Sequence, residues 1–195
     1  MSVQVAKSAG FCFGVNRAVE LVQSSAAAGK RTVTLGPIIH NRHVVQAFHE
    51  AGVGVIDDPG QAGPGDTVII RSHGVGREVY NRLEPQGAEI VDATCPFVKR
   101  IHGLVCLAEQ EGRRPIIIGT PTHPEVEGIA GLCGKCQVFV SAESLKKWGQ
   151  EEQFDADLPI CMVCQTTSTE NLWKSCRNFA KKQFTNLKIF DTICK

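Results

Sequence analysis

The chain has 195 residues, and its 21 Lys and Arg residues almost balance its 20 Asp and Glu residues. This balance, without any basic block, argues against a nucleic-acid binder, and no apolar run approaches the roughly 20 residues that span a membrane. The N-terminal segment lacks the long apolar stretch of a secretion signal. Nine cysteines, an odd number, argue against a disulfide framework. We therefore expect a cytoplasmic globular protein of one or two domains.

Short β-branched runs alternate with amphipathic stretches along the chain. Apolar residues at helical spacing predict helices around Val15–Val22, Val98–Ala108 and Leu172–Phe179. This alternation predicts an α/β fold with mostly parallel sheets covered by helices. In chain order, the predicted strands are Val3–Ala6, Thr32–Leu35, Thr67–Ile70, Glu89–Val91, Pro115–Ile118, Val138–Val140, Ile160–Val163 and Lys188–Phe190.

The sequence contains an internal repeat. AGFCFGVNRAVELV and ATCPFVKRIHGLV, aligned on Cys12 and Cys95, share Cys-x2-Val-x-Arg-x3-Leu-Val, and KIFDTIC begins a third copy at Cys194. Repetition at a fixed spacing indicates repeated structural modules. We therefore predict pseudo-repeated α/β modules over residues 1–94 and 95–193, followed by residues 194–195 as the stub of a third module.

Chemically capable side chains follow the predicted strands. In an open α/β sheet, ligands gather outside the carboxyl ends of the strands, so these positions predict a functional site. The residues are Cys12, Cys95, Cys194, His40, His73, His123, Glu125 and Thr166.

These residue types suggest a specific chemistry. Thiolates from three repeats can hold a [4Fe–4S] cluster by three of its irons and leave the fourth open as a Lewis acid. Three histidines suit an anion such as a diphosphate, beside which they become cationic donors. Glu125 lies two residues from His123 and can serve as a proton donor or relay.

The sequence resembles the 4-hydroxy-3-methylbut-2-enyl diphosphate reductase (LytB) family. The resemblance rests on GFCFGVNRAV, HNRHVV, SHGV, DATCPFV, THPEVEG, QTT and DTIC, in the order that the family has them. It implies three α/β modules in a trefoil around a central [4Fe–4S] cluster. The residues that it implies are Cys12, Cys95 and Cys194 for the cluster, His40, His73 and His123 for the diphosphate, Glu125 for proton delivery and Thr166 for the substrate hydroxyl.

The resemblance also implies a reaction and a partner. The reaction is reductive dehydroxylation of an allylic alcohol diphosphate to isopentenyl and dimethylallyl diphosphate, the final step of the methylerythritol phosphate route to isoprenoids. Ferredoxin or flavodoxin would supply the electrons. Family members continue beyond the third cysteine into a complete third module with a Ser-x-Asn segment, so we expect a chain truncated before that module.

Alternative interpretations rest on two CxxC pairs. The spacing of the cysteines in these pairs is close to a structural zinc pattern, with Cys133, Cys136, Cys161 and Cys164 as the ligands. A zinc site of this kind would make the chain a binding module stabilised by a metal ion. A CxxC pair could also be a reactive redox pair. A further alternative is an inactive reductase fragment that acts as a partner domain.

The Gly74–Gly76 segment lacks the third glycine of a dinucleotide fingerprint, so it is only a weak indication of nucleotide binding.

Overall fold

The computed structural model describes residues 3–6, 9–150 and 155–194 and divides the chain into two compact α/β units. The first unit takes residues up to 72 together with 86–95, and the second takes 73–85 and the residues from 96 onward. The α/β prediction is confirmed, since both units pair a parallel sheet with helices.

The first unit contains a four-stranded parallel sheet of order β2-β1-β3-β4. Helix α1 buries Ala18 and Val22 in a core that also contains Ile69. This arrangement agrees with the helical spacing of apolar residues in the sequence. The elements of this unit are α1 (Phe13–Ala27), β1 (Thr32–Leu35), α2 (Arg42–Glu50), β2 (Gly54–Ile56), a 3₁₀ turn (Pro59–Gln61), β3 (Thr67–Ile70) and β4 (Glu89–Asp92).

The second unit repeats this topology, with a parallel sheet of order β6-β5-β7-β8. In each sheet the first strand in the chain lies between the second and the third, and the fourth is at the edge. The elements are α3 (Arg77–Leu83), α4 (Pro96–Gln110), β5 (Arg114–Ile118), α5 (Pro124–Ala130), β6 (Gln137–Phe139), α6 (Ala142–Gly149), β7 (Ile160–Cys164), α7 (Glu170–Gln183) and β8 (Leu187–Ile189), and a 3₁₀ turn (Glu84–Gln86) follows α3.

Successive residues of the central strands in the second unit enter two different cores. Ile116 and Met162 belong to one cluster, whereas Ile117 and Val163 belong to another. Side chains alternate across a strand, so both faces of this sheet are covered. None of the helices in the described residues is long and apolar enough to cross a membrane.

The predicted strand Val3–Ala6 is wrong. These residues belong to no strand, and Val3 and Val5 are 90% and 81% exposed. β-Branched composition favours an extended chain, but a strand also needs a neighbour with which to exchange hydrogen bonds. The sequence analysis also missed β2, Gly54–Ile56, a three-residue edge strand that begins with glycine.

Candidate functional site

Three neighbouring strands of the second unit end close to predicted site residues. His123 and Glu125 follow β5, Thr166 follows β7 and Cys194 follows β8. Because β5, β7 and β8 are parallel neighbours, their carboxyl ends share one edge of the sheet. Within this unit, these four residues therefore follow strands whose ends share one edge of the sheet.

Glu125 and Thr166 form a buried pair. The Thr166 backbone N–H donates to Oε1 of Glu125 at 2.7 Å, and the Thr166 hydroxyl donates to Oε2 at 2.6 Å. Glu125 is 2% exposed and Thr166 is 7% exposed. A buried carboxylate needs such donors because water does not solvate it. The pair gives a carboxylate in direct hydrogen-bond contact with a hydroxyl, which is the arrangement that a proton relay requires.

His123 lies at the start of the helix that carries Glu125. Its Nδ1 accepts a hydrogen bond from the Glu125 backbone N–H at 3.1 Å and thereby caps α5. A ring nitrogen that accepts a hydrogen bond carries no proton, so the ring proton is on Nε2. The Nε2–H of His123 is therefore the group that can donate to an anionic ligand.

His73 packs beside His123 because glycines allow a close approach of α5 to the segment that contains His73. The two imidazole rings meet edge to face with centroids 5.6 Å apart. A Cβ on Gly128 of α5 would lie 3.2 Å from Gly74 and 3.4 Å from the carbonyl of His73. The Gly74–Gly76 segment is thus a packing element for this histidine pair.

A second glycine contact fixes the same segment. A Cβ on Gly76 would lie 2.8 Å from the Cα of Gly131, and one on Gly131 would lie 2.9 Å from the Cα of Gly76. The Arg77 N–H donates to the Gly131 carbonyl at 3.1 Å across this contact. The sequence analysis missed this role, although the small residues in HGVG and EGIAG were its available signal.

Cys194 is hydrogen-bonded to the Glu125–Thr166 pair through the backbone. The Cys194 N–H donates to the Thr166 carbonyl at 2.9 Å. Two residues earlier, the buried Thr192 hydroxyl accepts from the Cys164 N–H at 2.8 Å and donates to the Cys164 carbonyl at 2.5 Å. Thr192 therefore anchors the segment that leads from β8 to Cys194, a function that the sequence analysis did not assign.

The first unit brings the predicted ligand Cys95 close to the helix that Cys12 begins. Cys12 is the N-cap of α1, and Cys95 directly precedes α4. A Cβ on Gly14, in the first turn of α1, would lie only 2.5 Å from Sγ of Cys95. The Arg17 side chain also donates to the carbonyls of Asp92 and Thr94. Gly14 and Arg17 therefore hold α1 against the segment that carries Cys95.

The surroundings of Cys12 and Cys95 are compatible with metal-bound thiolates. Cys12 is exposed, Cys95 is partly exposed, and both are free thiols next to a helix N-terminus, which favours nearby negative charge. Cys12 does not follow the predicted strand, because residues 3–6 do not form one.

His40 belongs to the first unit and follows β1. It is exposed and directly precedes Asn41, whose side chain caps α2 by accepting from the His43 and Val44 N–H groups. His40 lines a cavity of about 530 Å³ whose wall also includes Arg42. An imidazole and a guanidinium in one cavity wall suit an anionic ligand.

The four cysteines of the zinc alternative cannot bind one ion. Cys161 and Cys164 are buried in β7 and belong to the cores on opposite faces of the sheet. Burial raises the pKa of Cys161 to about 11 and that of Cys164 to about 12, which keeps both thiols protonated. Cys133 and Cys136 pack against the core that contains Cys161. One tetrahedral site would require all four thiolates on the same side of the sheet.

Residues 3–195 match the protein family described as LytB protein. The chain belongs to the LytB family. It is 39% identical over 199 residues to a 4-hydroxy-3-methylbut-2-enyl diphosphate reductase from a Thermoanaerobacter species. This alignment covers 100% of this chain and 67% of the relative. The corresponding reductase of Clostridioides difficile is 35% identical over 195 residues, which cover 100% of this chain and 69% of the relative.

Solved structures agree with this LytB assignment. One, titled as (E)-4-hydroxy-3-methyl-but-2-enyl diphosphate reductase, the terminal enzyme of the non-mevalonate pathway, superposes with a TM-score of 0.84 at 36% identity, covering 98% of this chain and 68% of that one. The structure of the Plasmodium falciparum reductase has a TM-score of 0.88 at 24% identity, covers 96% of this chain and 59% of that one, and supports the fold alone. The resemblance inferred from the seven motifs is confirmed.

Proposed function

We propose that this LytB chain catalyses the reductive dehydroxylation of (E)-4-hydroxy-3-methylbut-2-enyl diphosphate to isopentenyl and dimethylallyl diphosphate. The observation that carries the proposal is the buried Glu125–Thr166 pair, next to His123 in the chain of a LytB protein. The relatives at 35–39% identity bear the name of this reductase.

The histidines suit the diphosphate end of the substrate. Nε2–H of His123 and the adjacent ring of His73 can donate to phosphate oxygens, and we assign His40 to the same ligand. Nδ1 of His123 remains the acceptor of the Glu125 N–H, so this ring donates through Nε2–H, and a hydrogen bond to a charged phosphate oxygen is stronger than one to a neutral acceptor. This assignment makes diphosphate affinity a property that can be measured separately from turnover.

We further propose that Cys12, Cys95 and Cys194 hold a [4Fe–4S] cluster. Thiolates are the ligands that iron–sulfur clusters use, and Cys12 and Cys95 are free thiols beside helix N-termini. A cluster held by these three cysteines would transfer the electrons of the reduction from ferredoxin or flavodoxin to the substrate. Module boundaries at residues 1–94 and 95–193, with a third module beginning at residue 194, are part of this proposal, as is a cytoplasmic location.

The remaining chemistry belongs to the protein residues. The reaction breaks the allylic C–O bond, forms one C–H bond and releases water, so it consumes two electrons and two protons. When Glu125 is protonated, the hydrogen bond between Oε2 and Oγ1 runs from the acid to the hydroxyl, and the Thr166 hydroxyl can then give its own proton to the departing substrate oxygen and take the proton of Glu125. The 2.6 Å contact between Oε2 and Oγ1 fits this transfer without an intervening water.

An anaerobic preparation of the chain tests this proposal. We expect about four iron and four sulfide per chain after reconstitution, pyrophosphate binding, and conversion of the substrate to both products with a reduced electron donor. Glu125→Gln should retain the iron and the pyrophosphate binding but lose turnover. Full iron content without turnover in the unsubstituted chain would contradict the proposal and favour an inactive reductase fragment.

A further inference from the structure

The loop between α5 and β6, residues 131–136, carries two cysteines that the proposed function does not use. Cys133 and Cys136 are both partly buried free thiols. They are three positions apart in a loop without regular secondary structure. Both pack at the edge of the core that contains Ile129 and Cys161.

The two sulfur atoms lie together against the end of α5. Sγ of Cys133 is 3.5 Å from the carbonyl oxygen of Ile129, and Sγ of Cys136 is 3.9 Å from that of Ala130. The two thiols are also hydrogen-bonded to each other. Two cysteines separated by two residues, with thiols that interact with each other, are suited to forming a disulfide within one loop.

The loop that holds the pair is tied to α4. The Gly134 N–H donates to Oε1 of Glu109 at 2.5 Å, and a Cβ on Gly134 would approach that oxygen to 3.1 Å. The Cys133 N–H donates to the Ala130 carbonyl at 3.1 Å. These contacts fix the backbone at Cys133 and at the residue that follows it.

The hydrogen bond between the thiols makes Cys136 more acidic and Cys133 less acidic. Donation from Cys133 lowers the pKa of Cys136 to about 7, although burial and the nearby Glu109 carboxylate oppose the change. The same bond, followed by burial, raises the pKa of Cys133. Near neutral pH, Cys136 is thus partly a thiolate, whereas Cys133 is a thiol, which is the division that a nucleophilic and a resolving cysteine require.

We propose that Cys133 and Cys136 form a redox-active dithiol that exchanges with low-molecular-weight disulfides. The Cys136 thiolate attacks one sulfur of the disulfide RSSR, forms a mixed disulfide and releases RS⁻. Cys133 then loses its proton and attacks Sγ of Cys136, which releases the second RS⁻. The two protons of the dithiol convert both products to RSH, so the protein is oxidised by two electrons and RSSR is reduced by two.

Oxidation would change the end of α5. Closing the disulfide moves the two sulfur atoms, which lie against the carbonyls of Ile129 and Ala130, the last two residues of this helix. The other end of the seven-residue helix is capped by His123 and carries Glu125. The dithiol therefore lies next to the C-terminal end of the helix whose first turn carries the proposed proton-transfer group, although its chemistry is independent of the proposed function.

Tryptic mapping of the full chain tests this inference directly. Trypsin cuts after Lys135, between the two cysteines, and yields residues 114–135 and 136–146 as separate peptides. After equilibration with glutathione disulfide and alkylation of the remaining thiols, we expect these peptides to stay joined by a disulfide. Reduction with dithiothreitol before alkylation should separate them, and both should then carry the alkyl group.

Matched variants locate the chemistry. Cys106→Ser, at a neighbouring thiol on α4, should leave the joined peptides unchanged. Cys136→Ser should abolish both the joined product and the glutathione adduct at Cys133, whereas Cys133→Ser should accumulate the glutathione adduct at Cys136. The proposal is overturned if both peptides of the unsubstituted chain are fully alkylated across glutathione redox ratios, or if the pair is protected by bound zinc. The mapping of the unsubstituted chain decides the question even if a variant fails to fold.

Discussion

The Glu125 carboxylate accepts two hydrogen bonds from a single residue, Thr166, one from its backbone and one from its hydroxyl. One threonine therefore both positions the carboxylate and gives it a route for a proton. The backbone bond survives any substitution at position 166 that preserves the fold, so the contribution of the hydroxyl can be tested separately.

Replacing Thr166 with Val should remove the relay and leave most of the site in place. Turnover should fall about 10²-fold or more, as expected for the loss of a positioned proton-transfer group. The free energy of unfolding should fall by about 1–3 kcal/mol, because a buried carboxylate loses one donor. Thr166→Ser, which keeps the hydroxyl, should retain most of the turnover. Steady-state kinetics and urea unfolding measure both effects, and equal loss in the two variants would exclude the relay.

Substituting Gly76 with Ala should disturb the histidine pair through packing. The new Cβ would meet the backbone of Gly131 at 2.8 Å, so α5 and the segment carrying His73 must separate. We expect a destabilisation of about 1–3 kcal/mol and weaker pyrophosphate binding. Gly103→Ala is the control, because a Cβ there has no neighbour within 4 Å and alanine favours the helix. Calorimetry measures the pyrophosphate affinity and the thermal stability of Gly76→Ala and of Gly103→Ala. An unchanged pyrophosphate affinity in Gly76→Ala would contradict this prediction.

Gly14→Ala should displace Cys95. Its Cβ would lie 2.5 Å from the Cys95 sulfur, so either α1 or the thiol must move. We expect reconstitution to give less bound iron than in the unsubstituted chain. A double-mutant cycle with Cys95→Ala provides the control, since removing the sulfur should relieve much of the destabilisation that Gly14→Ala causes. Additive effects on the free energy of unfolding would show that this contact is unimportant.

Thr192→Val should destabilise the β7–β8 region. The buried backbone N–H and C=O groups of Cys164 would lose the hydroxyl that bonds to both. Each unsatisfied buried group costs about 1–3 kcal/mol. Thr192→Ser should recover most of the loss because it restores the hydroxyl. Hydrogen exchange at the Cys164 amide reports the change locally, and protection equal to that of the unsubstituted chain would disprove the anchoring role.

The alkylation rate of Cys136 should depend on pH around neutrality. Because the pKa of Cys136 is lowered to about 7, the thiolate fraction, and hence the rate with iodoacetamide, should rise from pH 6 to pH 8 and then level off. In Cys133→Ala the donor is absent, so the midpoint should move up toward about 8.5, the usual value for cysteine. Peptide-resolved alkylation rates measure both midpoints. Identical midpoints would show that Cys133 does not stabilise the thiolate.

Local sequence patterns predicted the elements whose physical causes are local. Thr32–Leu35 and Thr67–Ile70 form strands over the predicted residues because they are β-branched and fully buried. Val3–Ala6 has a similar composition but no pairing partner among the described residues, and pairing is a long-range property that no local pattern contains. The same limit explains why β2 was missed.

The candidate site also combines features that the sequence predicts with features that depend on long-range packing. Parallel strands bring Glu125 and Thr166 to one edge, so strand order along the chain was sufficient to predict their proximity. The glycine contacts could not be predicted in this way, since Gly14 meets Cys95 and Gly76 meets Gly131 only after distant segments have packed. A glycine that permits close packing and a glycine in a turn are indistinguishable in a single sequence.

The two sheets of this chain use the same strand order, and in each a cysteine follows the edge strand, Cys95 after β4 and Cys194 after β8. Each of these cysteines therefore has the same position relative to its own sheet. Duplication of such a module therefore adds one cysteine at each junction. If Cys95 and Cys194 bind the proposed cluster, each copy of the module brings a cluster ligand together with its fold.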